Sequence, residues 1–124
     1  MRWIVDAMNV IGTKPDGWWK DRHGAMVHLV DRLERFVAST GDDVTVVFER
    51  PPSPPIRSPV LEIASAPKAG PNAADDEIVR LLKEDPDPEG IRVVTSDRAL
   101  ADQARFLNAT IEPAEAFRRE IEGA

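Results

Sequence analysis

Apolar residues recur along this chain in two rhythms. Short, nearly continuous apolar runs occupy residues 3–5 (Trp3, Ile4, Val5), 43–49 (with Val44, Val46, Val47 and Phe48) and 91–95 (with Ile91, Val93 and Val94). Runs of that length, bounded by turn residues, predict strands buried on both faces. Residues 60–64 alternate more and predict an edge strand, and 109–111 predict a short last one. Between them the apolar positions return every third or fourth residue. Met26, Leu29, Val30, Leu33, Phe36 and Val37 mark a helix that Asp21 can cap and Gly41 ends. Further helices are predicted over 73–85, capped by Asn72, over 98–106, with Leu100, Ala101 and Ala104 inward, and after Pro113, with Ala116, Phe117 and Ile121 inward. Asn108 suits a left-handed position at the end of the third of these helices. The order β-α-β-β-α-β-α-β-α predicts an α/β domain spanning 1–124, with a mostly parallel sheet covered on both faces.

Two loops interrupt the rhythm. Residues 51–59 hold five prolines, which excludes a helix or central strand and predicts a stiff extended segment. Residues 13–20 are polar but include Trp18 and Trp19 beside Lys14 and Lys20. Such a pair can stack on bases, and more often closes an edge of the core. His23 and His28 stand five apart, a spacing that does not place two ligands on one helix face, so both read as surface or packing residues.

Composition narrows the classes. With 42% hydrophobic and 31% charged residues in 124, the chain is long enough for a core and is not of disordered type. The absence of cysteine excludes disulfides and thiolate metal sites. No apolar run approaches the ~18 residues of a membrane span, and a cytoplasmic protein is the expectation. The net charge of −6 argues against tight, non-specific attraction to nucleic acid, unless bound cations invert the local field.

Three acids fall at matching places in this plan. Asp6 ends the first strand, Asp97 follows the fourth, and Asp75 lies in the first turn of a helix. Ligands of open α/β sheets bind outside the carboxyl ends of the strands, so Asp6 and Asp97 border that crevice. On a helical wheel Asp75 falls inside the apolar arc of Ala74, Ile78, Val79, Leu81 and Leu82, whereas Asp76 and Glu77 flank it. The helix dipole explains acids in a first turn; it explains Asp75 less well, because a carboxylate aimed along a buried face is costly without compensation. A turn role for Asp6 and Asn9 is the plainer alternative. Converging carboxylates are usually compensated by a hard cation, Mg²⁺ or Mn²⁺, which polarises a phosphoryl oxygen and activates water. The chemistry this points to is metal-assisted hydrolysis of a phosphodiester.

The segments VDAMNVIG, VVFE, NAADDEIVRLL and VVTSDRALADQA, in that order over nearly the whole chain, resemble the successive motifs of NYN domains, specifically the YacP-like branch of the PIN-like ribonucleases. The resemblance implies a PIN-like three-layer α/β/α sandwich and a divalent-metal endoribonuclease acting on RNA. Carried over by position, Asp6, Asp75 and Asp97 hold metal, with Asp76 beside them as a further candidate ligand. Asn9 orients the site or substrate, and Ser96 holds the loop that presents Asp97. The chain departs from the pattern at Ala7-Met8, where relatives often have Gly-Tyr, at Glu49, where they often have Asp, and at Asn72, where they often carry an acid. A lost outer acid favours one ion over two.

Substrate grip falls to Lys14, Arg50, Lys68 and Arg98, with Lys20 and Arg57, mostly in loops at the same sheet edge. So few cations predict weak, salt-sensitive RNA binding, aided by the ribosome or another RNA-bound protein. The main rival is a non-catalytic RNA- or protein-binding module with the same fold. A phosphatase with Asp6 as nucleophile ranks lower, because Met8 stands where such enzymes usually carry a second Asp. A nucleotide-binding protein lacks its glycine-rich loop.

Overall fold

Among the described residues, five parallel strands, β1 (Arg2–Asp6), β2 (Asp43–Phe48), β3 (Glu62–Ser65), β4 (Ile91–Val94) and β5 (Thr110–Glu112), form one sheet in the order β3-β2-β1-β4-β5. The structure is a computed structural model and describes residues 1–68, 70 and 72–123; Ala69 and Pro71, in the loop read over 65–71, lie outside the described residues. The sheet is wholly rather than mostly parallel, and the alternating segment is indeed its edge, β3. That strand begins two residues later than its sequence suggests, with Val60 exposed and Leu61 buried just ahead of it.

The helices are α1 (Ala7–Ile11), α2 (Arg22–Thr40), α3 (Ala73–Glu84), α4 (Arg98–Phe106) and α5 (Ala114–Glu122). Two apolar cores sandwich the sheet. Val5, Val46 and Val94 pack with α1, α2 and α5, while Ile4, Val47 and Val93 pack with α3 and α4. Alternation along each strand, two residues per repeat, produces this division. In the first core Trp3, Phe36 and Phe117 meet at centroid distances of 5.0–5.6 Å. The result is a three-layer α/β/α sandwich.

Local chemistry sets the helix ends. Asp21 caps α2, its Oδ1 accepting the Gly24 N–H at 2.9 Å. Gly41, at φ 74°, closes that helix in the left-handed conformation that glycine adopts without penalty. Asn108 takes a left-handed turn after α4 as its sequence suggests, φ 71°. Three expectations need correction. Asn72 precedes α3 but does not cap it: at φ 60° it lies outside the extended region from which a side chain reaches the first-turn N–H groups. Ala116 is exposed, because at about 100° per residue it falls well off the face that turns Ala114, Phe117 and Ile121 inward. Residues 7–11, to which the apolar pattern assigns no element, form the short helix α1, whose Ala7, Val10 and Ile11 are buried. A single helical turn and a half offers too few residues for periodicity to reveal it.

Candidate active site

The sheet reverses its winding at β1, with β2 on one side and β4 on the other, so the switch-point crevice opens beyond the ends of β1 and β4. Asp6 is the last residue of β1, in the same alternation as Ile4, and it therefore faces α3 and α4. Thr95, just past β4, has the alternation of Val93 and faces the same way. The two side chains meet: the Thr95 hydroxyl donates to Asp6 Oδ2 at 3.0 Å and accepts the Asp97 N–H at 3.1 Å. One buried hydroxyl thus spaces the acid of one strand from the acid that follows the next.

Asp97 is the N-cap of α4, its Oδ1 accepting the Leu100 N–H at 2.9 Å, which leaves its second oxygen for the cleft it lines. Asp75 enters from the first turn of α3, half-buried. Asp6, Asp75 and Asp97 line one cleft of about 270 Å³ together with Glu49, Asn9 and Asn72, and no lysine, arginine or histidine is among its lining residues. None of the three aspartates enters an ion pair among the described residues. Asn9 holds the crevice from the α1 side, its Oδ1 accepting the Ser96 N–H at 2.7 Å. Ser96 in turn accepts the Ala114 N–H on its Oγ at 2.9 Å, tying the turn before Asp97 to the start of α5.

Electrostatics register the convergence. Asp6, 6% exposed, has its carboxyl pushed up to about 7, first by burial and then by the charges of Asp75, Asp97 and Glu49, against the opposing pull of the Thr95 hydroxyl. Burial also raises Asp75, followed by the charges of Asp97 and Asp76. Lone carboxylates on a sheet edge would not do this; the cause is desolvation and like charge in one place.

Other predicted positions stand elsewhere. Asp76 is exposed and does not line the cleft. Glu77 is buried at 7% and is neutralised locally, its two oxygens gripped by Arg80 at 2.7 Å each, which holds its carboxyl below the usual range. That pairing, rather than the helix dipole, accounts for it. Lys14 bonds Glu122 at 3.2 Å in a separate pocket between α1, α2 and α5. Its predicted place beside the acids is corrected: α1 carries the chain away from the crevice before Lys14 is reached. Arg50 lines a groove next to the cleft. Lys68 and Arg98 are exposed and line neither. Trp18 is half-buried against the core and Trp19 is 56% exposed, so only the first closes an edge. Thr95 is absent from the sequence-derived set; a threonine ending an apolar strand is ordinary β usage, and no spacing distinguishes it.

Among the described residues, no three acidic or imidazole groups stand close enough to enclose a metal ion as placed. The donor chemistry nonetheless fits one class of ion. Carboxylate and amide oxygens line the cleft, without imidazole or thiolate ligands, and Asp6, Asp75 and Asp97 have no internal cation among the described residues. Mg²⁺ binds through one or two carboxylates and keeps several waters, so it requires no closed protein cage.

A parallel α/β/α sandwich with acids gathered beyond its central strands is the arrangement expected of a PIN-like domain. Residues 3–124 match the YacP-like NYN domain, and the chain belongs to that family, a family of PIN-like nucleases. Two crystal structures of Rae1 (YacP) from Bacillus subtilis share the fold. One superposes with a TM-score of 0.79 at 23% identity, over 99% of this chain and 74% of that one. A mutant form gives 0.76 at 23%, over 99% and 75%. At this identity the likeness speaks to fold alone. No functionally curated protein matches the chain significantly. No helix among the described residues is long and apolar enough to cross a membrane.

Proposed function

We propose that the protein is a divalent-metal-dependent endoribonuclease that hydrolyses RNA phosphodiester bonds in the Asp6–Asp75–Asp97 cleft. One observation carries the reading: a buried carboxylate at the switch point of the sheet, pushed up to about 7, has acids rather than cations for neighbours. A structural carboxylate in that position would be expected to have a basic partner, as Glu77 does.

Asp6, Asp75 and Asp97 would hold Mg²⁺ or Mn²⁺, with Asp76 at most an outer contact. Such an ion, when bound, offsets the charge of the phosphoryl oxygens and lowers the pKa of a nearby water. The chain's own residues do the positioning. Thr95 fixes one oxygen of Asp6 and leaves the other for the cleft. Asp97 is aimed by its capping bond to Leu100. Asn9 and Ser96 hold the turn that carries it. Glu49 adds a fourth carboxylate to the lining, able to take a proton or orient a water. The overall charge of −6 makes unaided RNA binding weak, so presentation of the RNA by the ribosome or another RNA-bound protein in the cytoplasm belongs to this reading.

The test is incubation of purified protein with labelled single-stranded and structured RNA, with Mg²⁺ or Mn²⁺ against EDTA, beside Asp97→Asn. Cleavage that needs the ion and the aspartate is the expected result. Cleavage that survives both EDTA and the substitution removes the proposal. Intact RNA under all conditions favours a non-catalytic binding module.

A further inference from the structure

The acidic cleft continues into a second depression of opposite character. This groove, about 410 Å³, runs between the start of α2 and the segment that follows β2, and it shares Met8 and Glu49 with the cleft. Arg22, His23 and Arg50 line it, and Met8 and the buried Met26 give it an apolar floor. In a chain of net charge −6, positive groups are thus placed directly beside the acids.

The walls are held in place. The Arg22 guanidinium lies 5.3 Å from the Trp18 ring centroid and 3.8 Å from Glu49, yet its side chain remains 56% exposed. Stacking orients it without using up its donors. Arg50 is exposed and enters no ion pair among the described residues. His23 Nε2 lies 2.8 Å from the Pro54 carbonyl oxygen, to which it can only donate, and this pins the proline-rich segment to α2.

We propose that this groove is the binding subsite for single-stranded RNA flanking the phosphate in the acidic cleft. Arg22 and Arg50 take backbone phosphates there, and a base lies on the methionine floor. The inference rests on the nuclease reading and adds which residues receive the substrate, and in what form. Two observations select it. The cleft alone repels a polyanion, and the guanidinium groups bordering it supply the attraction needed on the same path. A base reaches an apolar floor inside a groove only when it is out of a duplex, since paired bases present their faces to each other.

The experiment measures binding of a labelled, unstructured RNA oligonucleotide to the full chain carrying Asp97→Asn, in Mg²⁺, over a range of salt. Removing Arg22 and Arg50 together by alanine is expected to lower the slope of log affinity against log salt by about 1.4, at ~0.7 per phosphate contact on a single strand. Arg35→Ala, an exposed cation paired with Asp31 further along α2, leaves the slope unchanged. Arg50→Glu, which keeps the Arg22–Trp18 stack, weakens binding further than Arg50→Ala. A duplex of the same sequence binds more weakly than the single strand. An unchanged slope in the double variant, or tighter binding of duplex, overturns the subsite. The two readings fail separately. Arginine-dependent binding without metal-dependent cleavage by the unsubstituted chain removes the nuclease and leaves the groove. Cleavage whose KM ignores both arginines removes the groove and leaves the nuclease.

Discussion

Asp6 sets a carboxylate where water is nearly absent and three other acids contribute negative potential. Its pKa rises from 3.8 to about 7 on folding, so between those values the folded chain binds more protons than the unfolded one. Stability from this group therefore falls as pH climbs from about 4 to about 7, and is level above. In EDTA, Asp6→Asn is expected to flatten that slope and to raise stability at pH 8 by ~2 kcal/mol. Every tenfold change in proton affinity is worth about 1.4 kcal/mol, and the buried amide keeps part of the desolvation cost. Denaturant unfolding at pH 5 and pH 8 measures both. A variant as pH-dependent as the parent would show that Asp6 is not the group concerned. The raised pKa also makes ion binding compete with a proton. Mn²⁺ affinity by calorimetry should rise up to tenfold for each step of one in pH below about 7 and then level. Thr95 is the residue partner in this arrangement. Thr95→Val keeps the shape but removes the hydroxyl that serves Asp6 and the Asp97 N–H, and should cost ~1–3 kcal/mol in thermal or chemical unfolding. Thr95→Ser should recover most of it.

At the scale of elements, the site depends on where helices begin. α4 starts at Asp97 and α5 just after Pro113, and Ser96 supplies α5 with a side-chain acceptor that its own N-cap, a proline, cannot offer. Ser96→Ala should destabilise the chain by up to ~1 kcal/mol, the usual value of a cap. Amide exchange localised to the first turn of α5 would check it. Asp97→Asn separates structure from chemistry, because asparagine caps a helix as well as aspartate does. Its melting temperature should stay close to the parent's, while RNA cleavage falls at least ~100-fold, the scale of losing a ligand to a catalytic ion. Much of this was readable in advance. The helix over 98–106, its inward residues and the strand before it are found where their apolar spacing puts them. The cap of α3 was not, since Asn72 takes a left-handed conformation at φ 60° and its side chain makes no capping bond. On α5, Phe117 and Ile121 are inward as their spacing puts them, but the third inward residue is Ala114, two positions before Ala116.

Across the whole molecule, the sheet separates two cores, and the site sits on the seam where both end. Phe117 joins α5 to Trp3 of β1 and Phe36 of α2 at 5.0 and 5.4 Å. Phe117→Ala should cost ~3–5 kcal/mol. Denaturant unfolding followed by tryptophan fluorescence and by circular dichroism should then shift together. The amino-acid sequence alone determined the strand and helix series apart from the short α1, the parallel α/β class and the alignment of Asp6, Asp75 and Asp97 with the ends of their elements. Those features follow from local periodicity and from turn chemistry, which act over a few residues. Tertiary structure decided the rest. It chose Thr95 as the link between two acids 91 positions apart, drew Lys14 away to Glu122, and set Arg22 beside Glu49. Each of these depends on which side chains meet across strands and helices distant in sequence. Such meetings are fixed by the packing of the two cores, and no run of neighbouring residues encodes them.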